Sequence, residues 1–150
     1  FKKAYPNYTP KDLFDVDFIF RPSVVEFSNI MSSFSNAPVY TYLFTWESPV
    51  LDGILRSMHC LELPFVFNNV TLHGNMTGGG SEAIDLGNIM SSAWINFAKT
   101  GDPNTEGLPH WEPYNLNNES LMIFDNECEL KKGHDKDLLD IVRLFPIRGL

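Results

Sequence analysis

The segment "SMHCLELPFVFNN", residues 57–69, brings together three side chains capable of acid-base or nucleophilic chemistry. Cys60 follows His59 directly, and Glu62 lies three residues after the histidine. A cysteine nucleophile needs an imidazole nitrogen within hydrogen-bonding distance, and adjacent residues in extended or irregular backbone usually point apart. We therefore interpret Cys60 as a small buried apolar residue. His59 is a candidate base. Glu62 is either its orienting partner or, on a helical turn, a cap or a structural hydrogen-bond acceptor.

The chain lacks the sequence motif that would carry a serine nucleophile for this histidine. A strand-to-helix elbow that exposes a serine reads G-x-S-x-G, since small residues permit the strained turn. The nearest approximation is "GNMTG" at 74–78, which has Met76 in place of the serine and follows the histidine. The glycine run at 78–80 also lacks the Gly-Lys-Ser/Thr sequence of a phosphate-binding loop. We therefore predict an exposed, mobile loop over residues 68–80.

Charge, hydropathy and histidine spacing exclude several classes of partner. The chain has 150 residues and a formal net charge of −8, and its largest basic run is the pair Lys131 and Lys132. Because nucleic-acid binding relies on clustered basic residues, we expect no nucleic-acid partner. No apolar stretch approaches the ~20 residues that span a bilayer, so we expect no membrane segment. The histidines also lack the spacing of a metal site, so we expect no metal. They are His59, His73, His110 and His134.

Cysteine content and sequons point to different compartments. Cys60 and Cys128 are too few for a disulfide framework, which favours a reduced, cytoplasmic compartment. N-x-S/T sequons would accept glycans in a secretory pathway, so secretion stays an alternative. Four such sequons are present, at Asn7, Asn69, Asn75 and Asn118.

The elements that must position His59 alternate between helix and strand. Apolar residues recur every three or four positions after Ser23, whereas "VYTYLFTW" at 39–46 alternates β-branched and aromatic residues, as a strand buried on both faces does. We predict a short helix over 10–15, a helix from the cap Ser23 to residues 36–38, a strand over 39–46, a helix from the cap Ser81 to Lys99, a strand over 120–125 and a helix over 135–145. This order indicates an α/β architecture, although two strands are too few for a stable sheet.

Five segments follow one another along nearly the whole chain in the order of a known family. They are "DFIFRPSV" at 17–24, "VYTYLFTWESP" at 39–49, "HCLELPFVFNN" at 59–69, "MSSAWINFAKTGDPN" at 90–104 and "HWEPYN" at 110–115. Apolar periodicity alone does not demand the string W-x-x-F-A-K-T-G-D-P-N. In these segments the sequence resembles the C-terminal part of the type-B carboxylesterases, which include para-nitrobenzyl esterases, liver carboxylesterases and cholinesterases.

The resemblance implies that residues 1–150 form a C-terminal segment of an α/β-hydrolase fold, which is incomplete on its own. It implies ester hydrolysis by a Ser-His-acid triad, with His59 as the general base, a small-molecule ester as substrate and no cofactor. In α/β hydrolases the nucleophile and acid precede the histidine, so we expect both upstream of Phe1, in an N-terminal remainder that completes the fold. We assign none of Asp15, Asp17 and Asp52 as the acid.

Two further expectations accompany this resemblance. The isolated chain is expected to be inactive because it lacks a nucleophile. A non-catalytic adhesion or binding module of the same fold is the alternative function. Family members often have glycine or alanine after the histidine, whereas this chain has Cys60.

Overall fold

The structure is a computed structural model that describes residues 6–7, 20–34 and 36–144. The helix predicted over 10–15 lies outside these residues. The helices are α1 (Phe20–Phe34), α2 (Leu63–Val66), α3 (Gly74–Thr77), α4 (Ser81–Thr100) and α5 (Lys136–Arg143), with a 3₁₀ turn at Val70–His73. The strands are β1 (Tyr42–Phe44), β2 (Ser120–Phe124) and β3 (Glu129–Lys132). This mixture of helices and strands confirms the predicted α/β class.

The three strands form one mixed sheet with β2 at its centre. β2 runs parallel to β1, with Tyr42 opposite Met122, and antiparallel to β3. Every residue of β2 is buried, and its bounds agree with the strand predicted over 120–125. The strand predicted over 39–46 is shorter than expected and only half-buried, because no strand among the described residues pairs with the second edge of β1. Sequence patterns miss β3, since three of its four residues are charged.

Helix α4 supplies the largest helical contribution to the core. It matches the predicted helix over 81–99, but its N-cap is Gly80 rather than Ser81. It ends at Thr100 and is capped by Gly101, whose φ of 79° suits a residue without a side chain and whose N–H donates to the Phe97 carbonyl. The buried face of α4 packs against α2 and the 3₁₀ turn. The residues buried on this face include Ala83, Leu86, Gly87, Met90 and Ala93.

Helix α1 begins three residues before the predicted cap Ser23. Pro22 lies in its first turn, where a missing N–H removes no helical hydrogen bond. Ser28 is the buried residue of the helix, and its hydroxyl donates to the Val24 carbonyl. Six large apolar side chains of α1 remain at least one third exposed. These side chains are Phe20, Val24, Phe27, Ile30, Met31 and Phe34.

Candidate active site

The loop after β1 returns to the carboxyl end of that strand. Ser48 and Arg56 pair in an antiparallel bridge that closes the loop. The Ser57 hydroxyl then donates to the carbonyl of Phe44, the last residue of β1, at 2.9 Å. His59 therefore lies two residues beyond a direct attachment to the end of a parallel strand, where α/β proteins build their sites.

Buried neighbours hold the backbone of His59 while its own side chain stays exposed. The Leu61 N–H donates to the Met58 carbonyl at 3.1 Å, closing a tight turn around the histidine. The side chains of Leu61 and Phe65 are fully buried. The Phe65 ring lies 5.0 Å from the ring of Phe44, so the turn is anchored in the same core as β1.

Cys60 has a left-handed backbone conformation, with φ at 68°. Its side chain is half-buried with a free thiol, so the prediction of a buried apolar residue is only partly met. The conformation lets the Cys60 carbonyl accept from the Leu63 N–H at 3.3 Å. Since L-residues with a side chain pay strain in this region, glycine is the residue best suited to this position.

The imidazole of His59 stacks face to face on the ring of Phe20. The ring centroids are 4.7 Å apart and the ring planes are 7° from parallel. Within the described residues, no group forms a hydrogen bond with the imidazole, and Glu62 therefore does not act there as its orienting partner. The Glu62 carbonyl instead accepts from the N–H groups of Phe65 and Val66 at the start of α2. Sequence reasoning misses Phe20, because an apolar residue far from His59 in the chain gives no signal of contact.

A cleft of about 900 Å³ opens beside His59. Five consecutive residues of the β1 segment, 41–45, line it. Phe20 and Val24 of α1 and Leu139 of α5 form other parts of its wall. Burial raises the pKa of Tyr42 in this wall, and the charge of Glu62 raises it further.

Neither serine of the loop that leads to His59 is available as a nucleophile. The Ser48 hydroxyl donates to the Met76 carbonyl at 2.5 Å, and the Ser57 hydroxyl is bound to Phe44. Asp52 is exposed in the same loop and makes no hydrogen bond to His59 within the described residues. Asp15 and Asp17 lie outside these residues. No group of three or more His, Cys, Asp or Glu side chains suited to a metal ion occurs in the described part of the chain.

Residues 68–80 are not the plain loop that their turn-forming composition predicts. They contain the 3₁₀ turn and α3, and the buried Thr77 hydroxyl donates to the Val70 carbonyl at 2.9 Å. Gly78, with φ at 71°, lies so close to Pro49 that an added Cβ would be 2.8 Å from the Pro49 Cγ. The prediction fails because the Thr77 hydroxyl holds two parts of the segment together, while the hydrogen bond from Ser48 to the Met76 carbonyl and the approach of Gly78 to Pro49 attach it to the loop before His59. The segment thereby supports the loop that carries His59.

Comparisons with known proteins show which family the chain resembles. The sequence model of the carboxylesterase family matches residues 10–141. Para-nitrobenzyl esterase of Bacillus subtilis (strain 168) is 33% identical over 135 residues, which cover 89% of this chain and 26% of the relative. Human cocaine esterase is 37% identical over 93 residues, or 59% of this chain and 16% of that protein.

The solved structures similar to this chain are also esterases. An esterase from anaerobic Clostridium hathewayi, described as able to hydrolyse aliphatic aromatic polyesters, superposes with a TM-score of 0.82 at 35% identity, over 96% of this chain and 28% of its own. A thermophilic PNB esterase superposes with a TM-score of 0.70 at 31% identity, over 83% of this chain and 25% of its own. This chain thus spans about a quarter of these esterases.

No helix in residues 20–34 and 36–144 has the length and apolar character needed to cross a membrane. The fold is part of an α/β hydrolase, as the sequence resemblance predicts. The chain belongs to the carboxylesterase family.

Proposed function

We propose that residues 1–150 form the C-terminal segment of a longer enzyme that hydrolyses carboxylic esters, with His59 as the general base. The observation that carries this proposal is the position of His59. Its exposed ring lies in a cleft at the carboxyl end of a parallel strand, on a turn anchored by two fully buried residues. Family membership supplies the reaction class, since the relatives are named as esterases.

The proposed role follows from the acid-base chemistry of imidazole. A neutral His59 takes the proton of a serine hydroxyl as the serine oxygen attacks the ester carbonyl. The resulting imidazolium gives that proton to the departing alcohol, and the same cycle with water releases the acid from the acyl-enzyme. This role needs one ring nitrogen for the nucleophile and the other for an acidic residue. Both nitrogens of His59 are without a hydrogen-bond partner in the described part of the chain, which supports the proposal.

An N-terminal remainder of the same protein is the proposed source of the nucleophile and the acid. Two features support such a partner: the edge of β1 that no described strand covers, and the apolar side chains that α1 leaves exposed. An unpaired strand edge and an apolar helix face both favour contact with further protein. A small-molecule ester is the proposed substrate. A reduced, cytoplasmic compartment stays a prediction, consistent with free thiols at Cys60 and Cys128.

The test uses the intact protein and p-nitrophenyl acetate. We expect hydrolysis by the intact protein and none by the purified 150-residue chain. His59→Ala in the intact protein should lower kcat by about 10⁴-fold or more, because a triad then lacks its base. His110→Ala, at an exposed histidine outside the cleft, is the matched control and should leave kcat unchanged.

Three results would contradict the proposal. Hydrolysis by the isolated chain would show that the chain has its own nucleophile. An active His59→Ala enzyme would exclude His59 as the base. A folded but inactive intact protein would favour the non-catalytic adhesion or binding module.

A further inference from the structure

Phe20 is the described residue whose ring packs directly on the imidazole of His59. Its centroid lies 4.7 Å from that of His59, with 7° between the planes. Offset aromatic stacks have centroids about 4.5–7 Å apart and a preferred orientation that ordinary apolar contacts lack. The stack therefore restricts the plane of the imidazole as well as covering one of its faces.

The start of α1 is held by contacts that do not involve His59. The guanidinium of Arg21, next to Phe20, donates to the His134 carbonyl at 3.1 Å and lies 3.6 Å from the Asp135 carboxylate. Further along α1, the Tyr114 hydroxyl donates to Asn29 Oδ1 at 2.6 Å. Two separate attachments thus fix α1 against the segment before α5 and the segment before β2. Because these two attachments hold α1 independently of His59, the position of the Phe20 ring does not depend on the imidazole. The ring can therefore support the imidazole.

The turn around His59 fixes its backbone but leaves the ring orientation less defined. Rotation about the Cβ–Cγ bond of histidine is broad and roughly two-fold, unlike the staggered torsions of sp³ carbons. A general base must present one nitrogen to the nucleophile and the other to the acid, so a rotated ring loses both contacts.

We propose that Phe20 is a positioning residue that holds the His59 imidazole in the plane required for proton transfer. This inference rests on the proposed role of His59 as the base. Phe20 acts through the histidine and takes no part in the proton transfers. Small displacements of reacting groups carry large costs in rate, so loss of the stack should appear in kcat.

The experiment compares variants of the intact enzyme with p-nitrophenyl acetate as substrate. Phe20→Leu keeps an apolar side chain without a ring and should lower kcat about three- to tenfold, the range that one aromatic stack supplies, with KM within about twofold. Phe20→Tyr restores the ring and should return kcat to within about twofold. Phe27→Leu makes the same substitution on the same helix, outside the cleft, and should leave kcat unchanged. Circular dichroism checks that each variant is folded, and Phe20→Met replaces Phe20→Leu if that variant is not.

Each alternative has a distinct result. An unchanged kcat in Phe20→Leu, or in Phe20→Met where that variant replaces it, overturns the positioning role. A raised KM with kcat unchanged also overturns it, by indicating a substrate contact instead. An equal loss in Phe27→Leu assigns the effect to α1 as a whole. If His59→Ala is active, the proposed function fails first; if His59→Ala is inactive and Phe20→Leu is fully active, only the positioning role fails.

Discussion

At the scale of single residues, Cys60 is the strained position of the candidate site. Its φ of 68° belongs to a region that costs a residue with a side chain about 1–2 kcal/mol. The turn needs this conformation, because His59, before Cys60, lies exposed at the cleft, whereas Leu61, after Cys60, is buried in the core. The fold thus retains backbone strain at the residue next to its proposed base.

A pair of substitutions measures that strain. Cys60→Ala and Cys60→Gly both remove the thiol, but only glycine relieves the left-handed backbone. We expect Cys60→Gly to be about 1 kcal/mol more stable than Cys60→Ala in the free energy of unfolding, measured by urea denaturation of the intact protein. The same pair at Cys128, where φ is not positive, should give the reverse order. A more stable alanine at position 60 would mean that the turn is not strained.

The sequence suggests some candidate site residues and not others for a physical reason. His59 is a candidate because its neighbours in the chain form a specific motif that the family resemblance interprets. Phe20 contacts His59 across the fold, and no periodicity or spacing predicts such a contact. The role suggested for Glu62 fails to appear for the opposite reason, since closeness in sequence does not direct a side chain towards its neighbour.

At the scale of elements, Gly87 sets how closely α4 approaches the segment after His59. A Cβ at Gly87 would lie 2.9 Å from the Val70 Cγ2 atom, and Val70 is buried in the 3₁₀ turn. Glycine weakens a helix interior by about 1 kcal/mol relative to alanine. Its presence here is therefore explained by packing rather than by helix formation.

Alanine at this position should destabilise the protein despite its better helix propensity. We expect Gly87→Ala to lower the free energy of unfolding by about 1–3 kcal/mol, the usual cost of overpacking. Gly74→Ala is the matched control, because its φ is −58° and no atom lies within 4 Å of an added Cβ. That variant should be neutral or slightly stabilising. Thermal and urea denaturation compare the two, and equal stabilities would contradict the close approach.

Element prediction succeeds where local pattern and tertiary role agree. α4 has a periodic apolar stripe that is buried on one face, and β2 is an apolar run that is buried at every residue, so the limits of both are predicted to within two residues. β3 is an exposed, charged edge strand whose existence depends on the neighbouring β2. The helical turns within 68–80 depend on hydrogen bonds of Thr77 to groups that the local composition does not reveal.

At the scale of the whole molecule, exposed apolar surface distinguishes a self-contained domain from a segment of a larger one. Phe27 and Phe34 on α1 are 62% and 85% exposed. Self-contained soluble domains rarely expose several large apolar side chains together. We expect the isolated 150-residue chain to bind the dye ANS and to unfold over a broad temperature range. The intact protein should bind little dye and melt sharply.

Fluorescence titration and calorimetry check this expectation. A sharp, cooperative melting transition of the isolated chain without dye binding would show a self-contained domain instead. The family resemblance predicts an incomplete fold, and the two predicted strands already indicate a sheet too small to be stable alone. Sequence patterns do not reveal the exposed apolar face of α1, because exposure depends on how the elements pack in the assembled molecule.

The parallel pairing of β1 with β2 has a consequence for biosynthesis. Tyr42 pairs with Met122, about 80 residues later in the chain. At about 5–20 residues per second, β1 leaves the ribosome on the order of 4–16 seconds before its described partner is made. During this interval the edge of β1 that pairs with β2 in the finished sheet is unpaired, which is the condition that favours aggregation or chaperone binding. The yield of folded protein in a cell should therefore depend on translation rate and on chaperones that shield this strand.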